Sequence, residues 1–526
     1  MRDSQGRRAQ PRARTIQTGA AAACTLALLA AAPAAGAKSF PAHPFVPGSV
    51  VIADTTYPAA GDPALTVGQP LPEGGNAIAD GKYPEAFNND SVDGSFAVST
   101  PLDLQDVDPF GNQLLQVKVP ADQVTTSFSS KSEGAINFST DGQDLSFLGY
   151  NAAPNTLDAS NSNTPLVPDS TNPDHAGPFN RVAADLGGDG SWSFTDSNAF
   201  SGDNGRAVLL NNHLGVFYAA GNSNNGDSTT ENAITDSGGA QGFAQSFATQ
   251  AEQAPGVLST RLGNFTYATK DKFGKDTNFR GLTVYGGVVY LTKGSGSNGT
   301  NSVYFIDTTG TACSTPDGVG LPVPGAPLPT LGGAPYTMCV LKGFNNLPAK
   351  GSSAPNIFPF GIWFANANTL YVADEGTGSN TYDPTTGTYT DAASQTGAGL
   401  QKWVFDGTQW NLAYTMQTGL GLGQPYKVPA YPTGTNSLTG LPWAPATDGL
   451  RNISGHVNGD GTATIYAATS TVSGSGDQGA DPNEVVAITD QLGATTPGNE
   501  KFTTIAGPRN RVAYRGVAVV PDNYGS

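Results

Sequence analysis

Charge is scarce in this chain. Asp, Glu, Lys and Arg together make up 13% of 526 residues, and there are only three cysteines, three methionines and four histidines. A chain so poor in charge does not build long amphipathic helices, whose exposed faces need Glu, Lys and Arg. Four histidines and scattered cysteines leave little for a zinc cluster, and no G-x-S-x-G is present to support a Ser-His-Asp hydrolase. Of the histidines, His43 and His175 are placed to reach a loop-rich face, His213 falls in a tight turn, and His456 lies far along a strand. Basic residues are the rarer sign, 26 Lys and Arg against 43 Asp and Glu. That balance argues against nucleic acid and anionic membrane, both of which are bound through cations. Beyond the N-terminal region no apolar run is long enough to cross a bilayer. What the chain has in excess is Gly (67) and Pro (38), with aromatics drawn mainly from Phe and Tyr. That is the composition of short strands joined by turns and loops.

Residues 1–37 read as a secretory signal peptide: a start carrying five arginines, an Ala-rich apolar stretch, and the small-x-small site Ala35-Gly36-Ala37. Residues 38–526 then form a single mature domain, exported to the periplasm or the medium. The leader holds those five arginines and Asp3, so its removal takes the formal charge from −17 to −21. Acidity of that size keeps an exported monomer soluble. With Cys24 in the leader, Cys313 and Cys339 remain, and two cysteines in an exported chain pair. The bond would contribute about 3 kcal/mol.

Six segments begin alike, at Glu133, Arg206, Arg280, Phe360, Arg451 and Arg515. Gly is commonest at the second position (Gly134, Gly281, Gly361, Gly516), and the third is always apolar. After five of them comes a turn rich in Asn, Asp and Gly (DGQD, NNHL, YGGV, NANT, NGDG), then a second apolar strand such as VYLTKG or LYVADEG. The sixth lacks a partner because the chain ends, and Val50-Val51-Ile52-Ala53-Asp54 supplies one. Hairpins flanking these pairs bring each repeat to four strands. The expected fold is therefore all-β, a β-propeller of six four-stranded blades with one blade shared between the termini. A seventh blade would require a hidden sheet near 242–279, and a two-sheet sandwich is the competing architecture.

The first and second strands of a repeat are antiparallel, so the start of one and the end of the other share an end of the sheet. The long connections all fall there. On that face the first strands place Glu133, Arg206, Arg280, Arg451 and Arg515, and the second strands end in Asp54, Lys293, Asp374 and Glu375. Guanidinium groups around a channel mouth could hold carboxylate, phosphate or quinone oxygens; they could equally pair with a neighbouring blade's carboxylates and close the ring. The loop SGSGDQGADPNE offers Asp477, Asp481 and Glu484 as oxygen ligands for calcium, although Asp/Gly loops are also ordinary turns.

The stretches NFRGLTVYGGVVYLTKG, LYVADEGTG, GLQKWVFDG and LRNISGHVNGDG resemble a group of secreted bacterial propeller-like proteins, a resemblance that implies fold and export but no activity. Arg451-Asn452 in GLRNISG is also similar to the Arg-Asn pair with which six-bladed quinoprotein sugar dehydrogenases hold pyrroloquinoline quinone, although the Pro-Gln that follows there is absent here. Gluconolactonase-like propellers are a further, unmatched likeness. Three functions follow as expectations: binding of a small or polymeric extracellular ligand on the long-loop face, calcium-assisted hydrolysis or elimination on acidic or sugar-derived substrates, and quinone-dependent oxidation.

Overall fold

A computed structural model describes residues 43–57, 77–79, 87–89, 98–156, 159–167, 178–222, 238–265, 278–294, 299–313, 318–350, 357–437, 439–474 and 479–526. The unit spanning Pro41–Ser526 is a six-bladed β-propeller. Blade 1 runs, from the axis outward, through Ile136–Phe138, Asp144–Tyr150, Arg181–Gly187 and Trp192–Ser197. Blade 2 has Gly205–Asn211, Val216–Gly221, Ala240–Ala244 and Thr260–Arg261. Blade 3 has Leu282–Tyr285, Val288–Lys293, Ser302–Asp307 and Tyr336–Leu341, with Gly263–Asn264 and Val319–Gly320 added parallel to its last strand. Blade 4 has Pro359–Asn366, Thr369–Asp374, Gly399–Phe405 and Trp410–Met416. Blade 5 has Ala446–Val457, Thr462–Val472, Val485–Gln491 and Thr503–Ala506. The region near 242–279 therefore feeds the outer strands of blades 2 and 3; it holds no seventh blade among the described residues.

Blade 6 closes the ring. Val512–Val519 from the C-terminus pairs antiparallel with Val50–Thr56 from the N-terminus, and Leu102–Val107 and Gln113–Lys118 complete the sheet. The inner edge of each blade faces the narrow axis, where another chain has no room to extend it. The last residues add a second clasp: Asn523 Nδ2 donates to Asp141 O at 2.8 Å, and Tyr524 packs edge-on against Phe138 of blade 1.

The Gly of the repeat has a physical reason. At Gly281 an added Cβ would strike the carbonyl oxygen of Phe360, at Gly361 that of Arg451, and at Gly516 that of Gly134. Each of these three positions thus meets the first or second position of the next blade too closely for a side chain. Blade 5 solves the same problem with Asn452, whose Nδ2 donates to Arg515 O at 2.9 Å. The channel is consequently pinched at this level, to about 20 Å³ between Ala135, Leu282, Ile362, Asn452 and Val517.

The core lies in wedges between blades. Leu148, Phe200, Val208 and Phe217 fill the space between blades 1 and 2, and Tyr371, Leu400, Leu450 and Ile465 that between blades 4 and 5. The latter wedge also holds Lys402 and Asp490, both fully buried, their Nζ and Oδ2 2.9 Å apart. Tyr371 and Tyr414 donate their hydroxyls to the same carboxylate at 2.5 and 2.6 Å, which satisfies the charge that burial would otherwise penalise. Cys313 and Cys339 form the expected disulfide, with Cα atoms 5.5 Å apart, tying the base of the Pro/Gly-rich insertion within blade 3. No helix among the described residues is long and apolar enough to cross a membrane.

Candidate functional site

At the loop end the repeat starts do converge, but as a packed cluster and not an open ring. Glu133, Arg206, Arg280, Glu375, Arg451 and Arg515 are all buried, between 1% and 6% exposed. Each arginine grips its surroundings across a blade boundary. Arg206 donates through Nη1 to Phe279 O at 2.8 Å and to Asn278 Oδ1, which lead into blade 3. Arg280 donates to Ser132 Oγ, and Arg515 to Phe128 O, both in the segment entering blade 1. Arg451 Nε lies 3.6 Å from Glu375 Oε2, a carboxylate at the end of blade 4's second strand. Ring closure by carboxylate pairing therefore holds for Arg451, whereas Arg206, Arg280 and Arg515 bond to carbonyl, amide and hydroxyl oxygens.

Beside this cluster lies a partly exposed cation, Lys131, two positions before the first repeat start. Its Nζ lies 3.2 Å from Glu375 Oε2, and its side chain is 28% exposed against 2% for the carboxylate. The ammonium is pulled below the usual lysine range by its packed surroundings and by Arg280 and Arg451, with Glu375 opposing. Burial alone would raise the Glu375 carboxyl, but Lys131, Arg280 and Arg451 together hold it below its ordinary value. Its Oε1 accepts no hydrogen bond from the described residues. Glu133 shows the opposite balance. It accepts from Ser127 N at 2.9 Å and Tyr150 OH at 2.7 Å, yet burial still pushes its carboxyl up.

The other expected site residues are held elsewhere. Asp54 pairs with the half-exposed Arg509 at 2.8 Å and with Gln105, and burial pushes it up to about 6. Lys293 is fully buried, its Nζ 3.2 Å from Asn301 Oδ1. Asp374 accepts from Phe358 N at 2.8 Å, Gly376 N at 3.0 Å and Gln401 Nε2 at 3.2 Å, and burial carries it up to about 7. It braces the loop leading into blade 4. For calcium, Asp477 and the residues beside it lie outside the described residues. Asp481 accepts from Ser473 Oγ at 2.6 Å and Thr471 Oγ1 at 3.1 Å, and Glu484 from Thr504 Oγ1 at 3.4 Å. Among the described residues no three His, Cys, Asp or Glu side chains converge to hold a metal.

The Arg451-Asn452 pair does not fit a quinone. Asn452 is spent on the backbone of blade 6, Arg451 faces Glu375, and the channel at their level has no room for a ring system. His43 is also not where the spacing suggested. Its Nδ1 lies 2.8 Å from Gly188 O in the turn between the outer strands of blade 1, at the end opposite the long loops. His175 lies outside the described residues.

Lys131 escapes a repeat-based reading because it sits in the connection and not in the repeat. Arg181 escapes for a different reason. It starts an outer strand of blade 1, fully buried, and its guanidinium donates to the carbonyls of Phe179, Ser160, Ser162, Phe200 and Asp203 at 2.6 to 3.2 Å. One side chain thus gathers two loop segments beside the site. The adjoining Asp203 acts electrostatically on both Arg206 and Arg280.

No family model matches this chain, and no curated protein matches it. Among solved structures, apo AztD from Citrobacter koseri aligns over 89% of this chain and 98% of its own, at 10% identity and a TM-score of 0.26. A polysaccharide lyase of a new family, an ulvan lyase, aligns over 85% and 96%, at 11% identity and a TM-score of 0.27. At these scores neither likeness assigns a ligand or a reaction to this chain.

Proposed function

We propose that the protein is exported and binds an acidic ligand, a carboxylated small molecule or polymer, at the loop end of its channel through Lys131. One observation carries this reading: the Lys131 side chain is partly exposed beside a cluster whose arginines are buried. A carboxylate arriving from solvent would displace Glu375 as the partner of the ammonium or add to it, with the field of Arg280 and Arg451 behind. The basic leader and the Cys313–Cys339 bond support export to an oxidising compartment. Isothermal titration with galacturonate and polygalacturonate tests the binding. Saturable heat that falls at least tenfold in affinity in Lys131→Met is expected. Absence of heat, or affinity unchanged in that variant, would refute the reading.

A second reading is favoured by the same lysine. An ammonium pulled below its ordinary range beside a carboxylate can pass a proton, so elimination or hydrolysis of the bound acid is chemically within reach. It predicts unsaturated or shortened products from polygalacturonate, which Lys131→Met would abolish.

A further inference from the structure

Past the pinch, the channel opens at the other end into a funnel of about 790 Å³, to which all six blades contribute. That volume falls within the range of small-molecule pockets. Its floor is aliphatic, with Ile136, Ile362, Ile453 and Val517. Its wall carries Asn137, Thr140, Thr283, Trp363, Ser454 and His456. None of its lining residues is Lys or Arg, and its one carboxylate is Asp522. An anion finds no counter-charge there, whereas amide, hydroxyl and imidazole groups offer mixed donors and acceptors.

Two details show that the wall is built. Trp363 stays partly exposed and lies against Gly455, where an added Cβ would come within 3.1 Å of two indole carbons. The glycine leaves room there for both the Thr464 carbonyl and the edge of the indole. His456 stacks on Tyr466 with the rings 25° apart, and its Nδ1 finds no hydrogen-bond partner among the described residues although that atom is buried.

We infer that this funnel is a second ligand site, distinct from the charged loop end, and that it takes an uncharged polyhydroxylated ring compound such as a neutral sugar. Hydroxyls pair with the amide and hydroxyl groups of the wall, and the apolar face of a sugar ring lies against the indole edge and aliphatic floor. The inference does not depend on Lys131. The test is isothermal titration and ligand-observed saturation-transfer NMR on the signal-cleaved protein with maltose, cellobiose and trehalose, beside choline as a cationic probe. At least one disaccharide should bind. Its affinity should fall at least tenfold in His456→Ala and in Thr283→Arg, which fills the funnel from a partly exposed position. It should be unchanged in Lys131→Met. Thermal melts of both funnel variants near that of the parent would show that the loss is local. Binding of no disaccharide, binding of choline alone, or disaccharide binding that Lys131→Met abolishes and Thr283→Arg leaves intact would each overturn the inference.

Discussion

The two ends of one channel are built on opposite principles. At the loop end, charged side chains fill the axis and bond to one another's loops: Arg206, Arg280, Arg451 and Arg515 hold carbonyl, hydroxyl and carboxylate oxygens across blade boundaries. At the hairpin end, short turns leave the axis open and almost uncharged. Between them, backbone meets backbone at Gly281, Gly361 and Gly516. Long connections need side chains to order them, and once ordered they occupy the space they surround. Short hairpins need no such help and leave a cavity behind. The loop end should therefore be fragile to loss of polar side chains, and the hairpin end tolerant.

The strongest way to break that contrast is Arg181→Ala. It leaves five carbonyls from two loop segments without their shared donor in a dry site, and should cost about 3–5 kcal/mol in denaturant unfolding, with new proteolytic cuts within 159–203. Glu375→Gln comes next. It removes the carboxylate that faces Lys131 and Arg451, and a loss of about 2–3 kcal/mol is expected, moderated by the solvent access of the lysine. Gly361→Ala tests the pinch itself: its methyl meets Arg451 O, and about 1–3 kcal/mol should be lost.

Acid should act on the loop end in a definite direction. Asp374 is carried up to about 7, and Asp54 and Asp448 to about 6, from 3.8, in each case by burial first. The folded state then binds more protons than the unfolded one between about pH 4 and 7, so these groups make stability fall as pH rises through that window. Exposed turn carboxylates such as Asp406 and Asp460 are held low by hydrogen bonds, and their contribution is lost only below the ordinary range. Calorimetry should therefore give a Tm a few degrees higher at pH 5 than at pH 8, with a decline in stronger acid. The smallest effect is reserved for the hairpin end, where Thr283→Arg should change stability by no more than about 0.5 kcal/mol.

The ring was legible in the sequence because its constraint recurs. Gly at the second position answers the same inter-blade contact at three boundaries, and turns such as YGGV and NGDG mark hairpins that local conformation alone determines. The shared blade followed from a strand left unpaired at Arg515, and the disulfide from there being two cysteines past the segment read as a leader. The site was only half legible. Repeat position brought Glu133, Arg206, Arg280, Arg451 and Arg515 to one end, but it could not show that they are buried, since that depends on loops of unequal length folding inward. Lys131 and Arg181 lie outside the repeated positions, and nothing local distinguishes them from surface cations. His456 was set aside for lying far along its strand, which is the very placement that brings it to the opposite funnel.

The central claim is that Lys131 is a partly exposed, perturbed cation beside buried arginines, and it can be read at that nitrogen. Reductive methylation with carbon-13 formaldehyde, with the resonance assigned by its absence in Lys131→Met, would report the titration of this amine by NMR. The account predicts a midpoint below the ordinary lysine range and a shift of the signal when galacturonate is added. A midpoint in the ordinary range, with a signal indifferent to galacturonate, would contradict it.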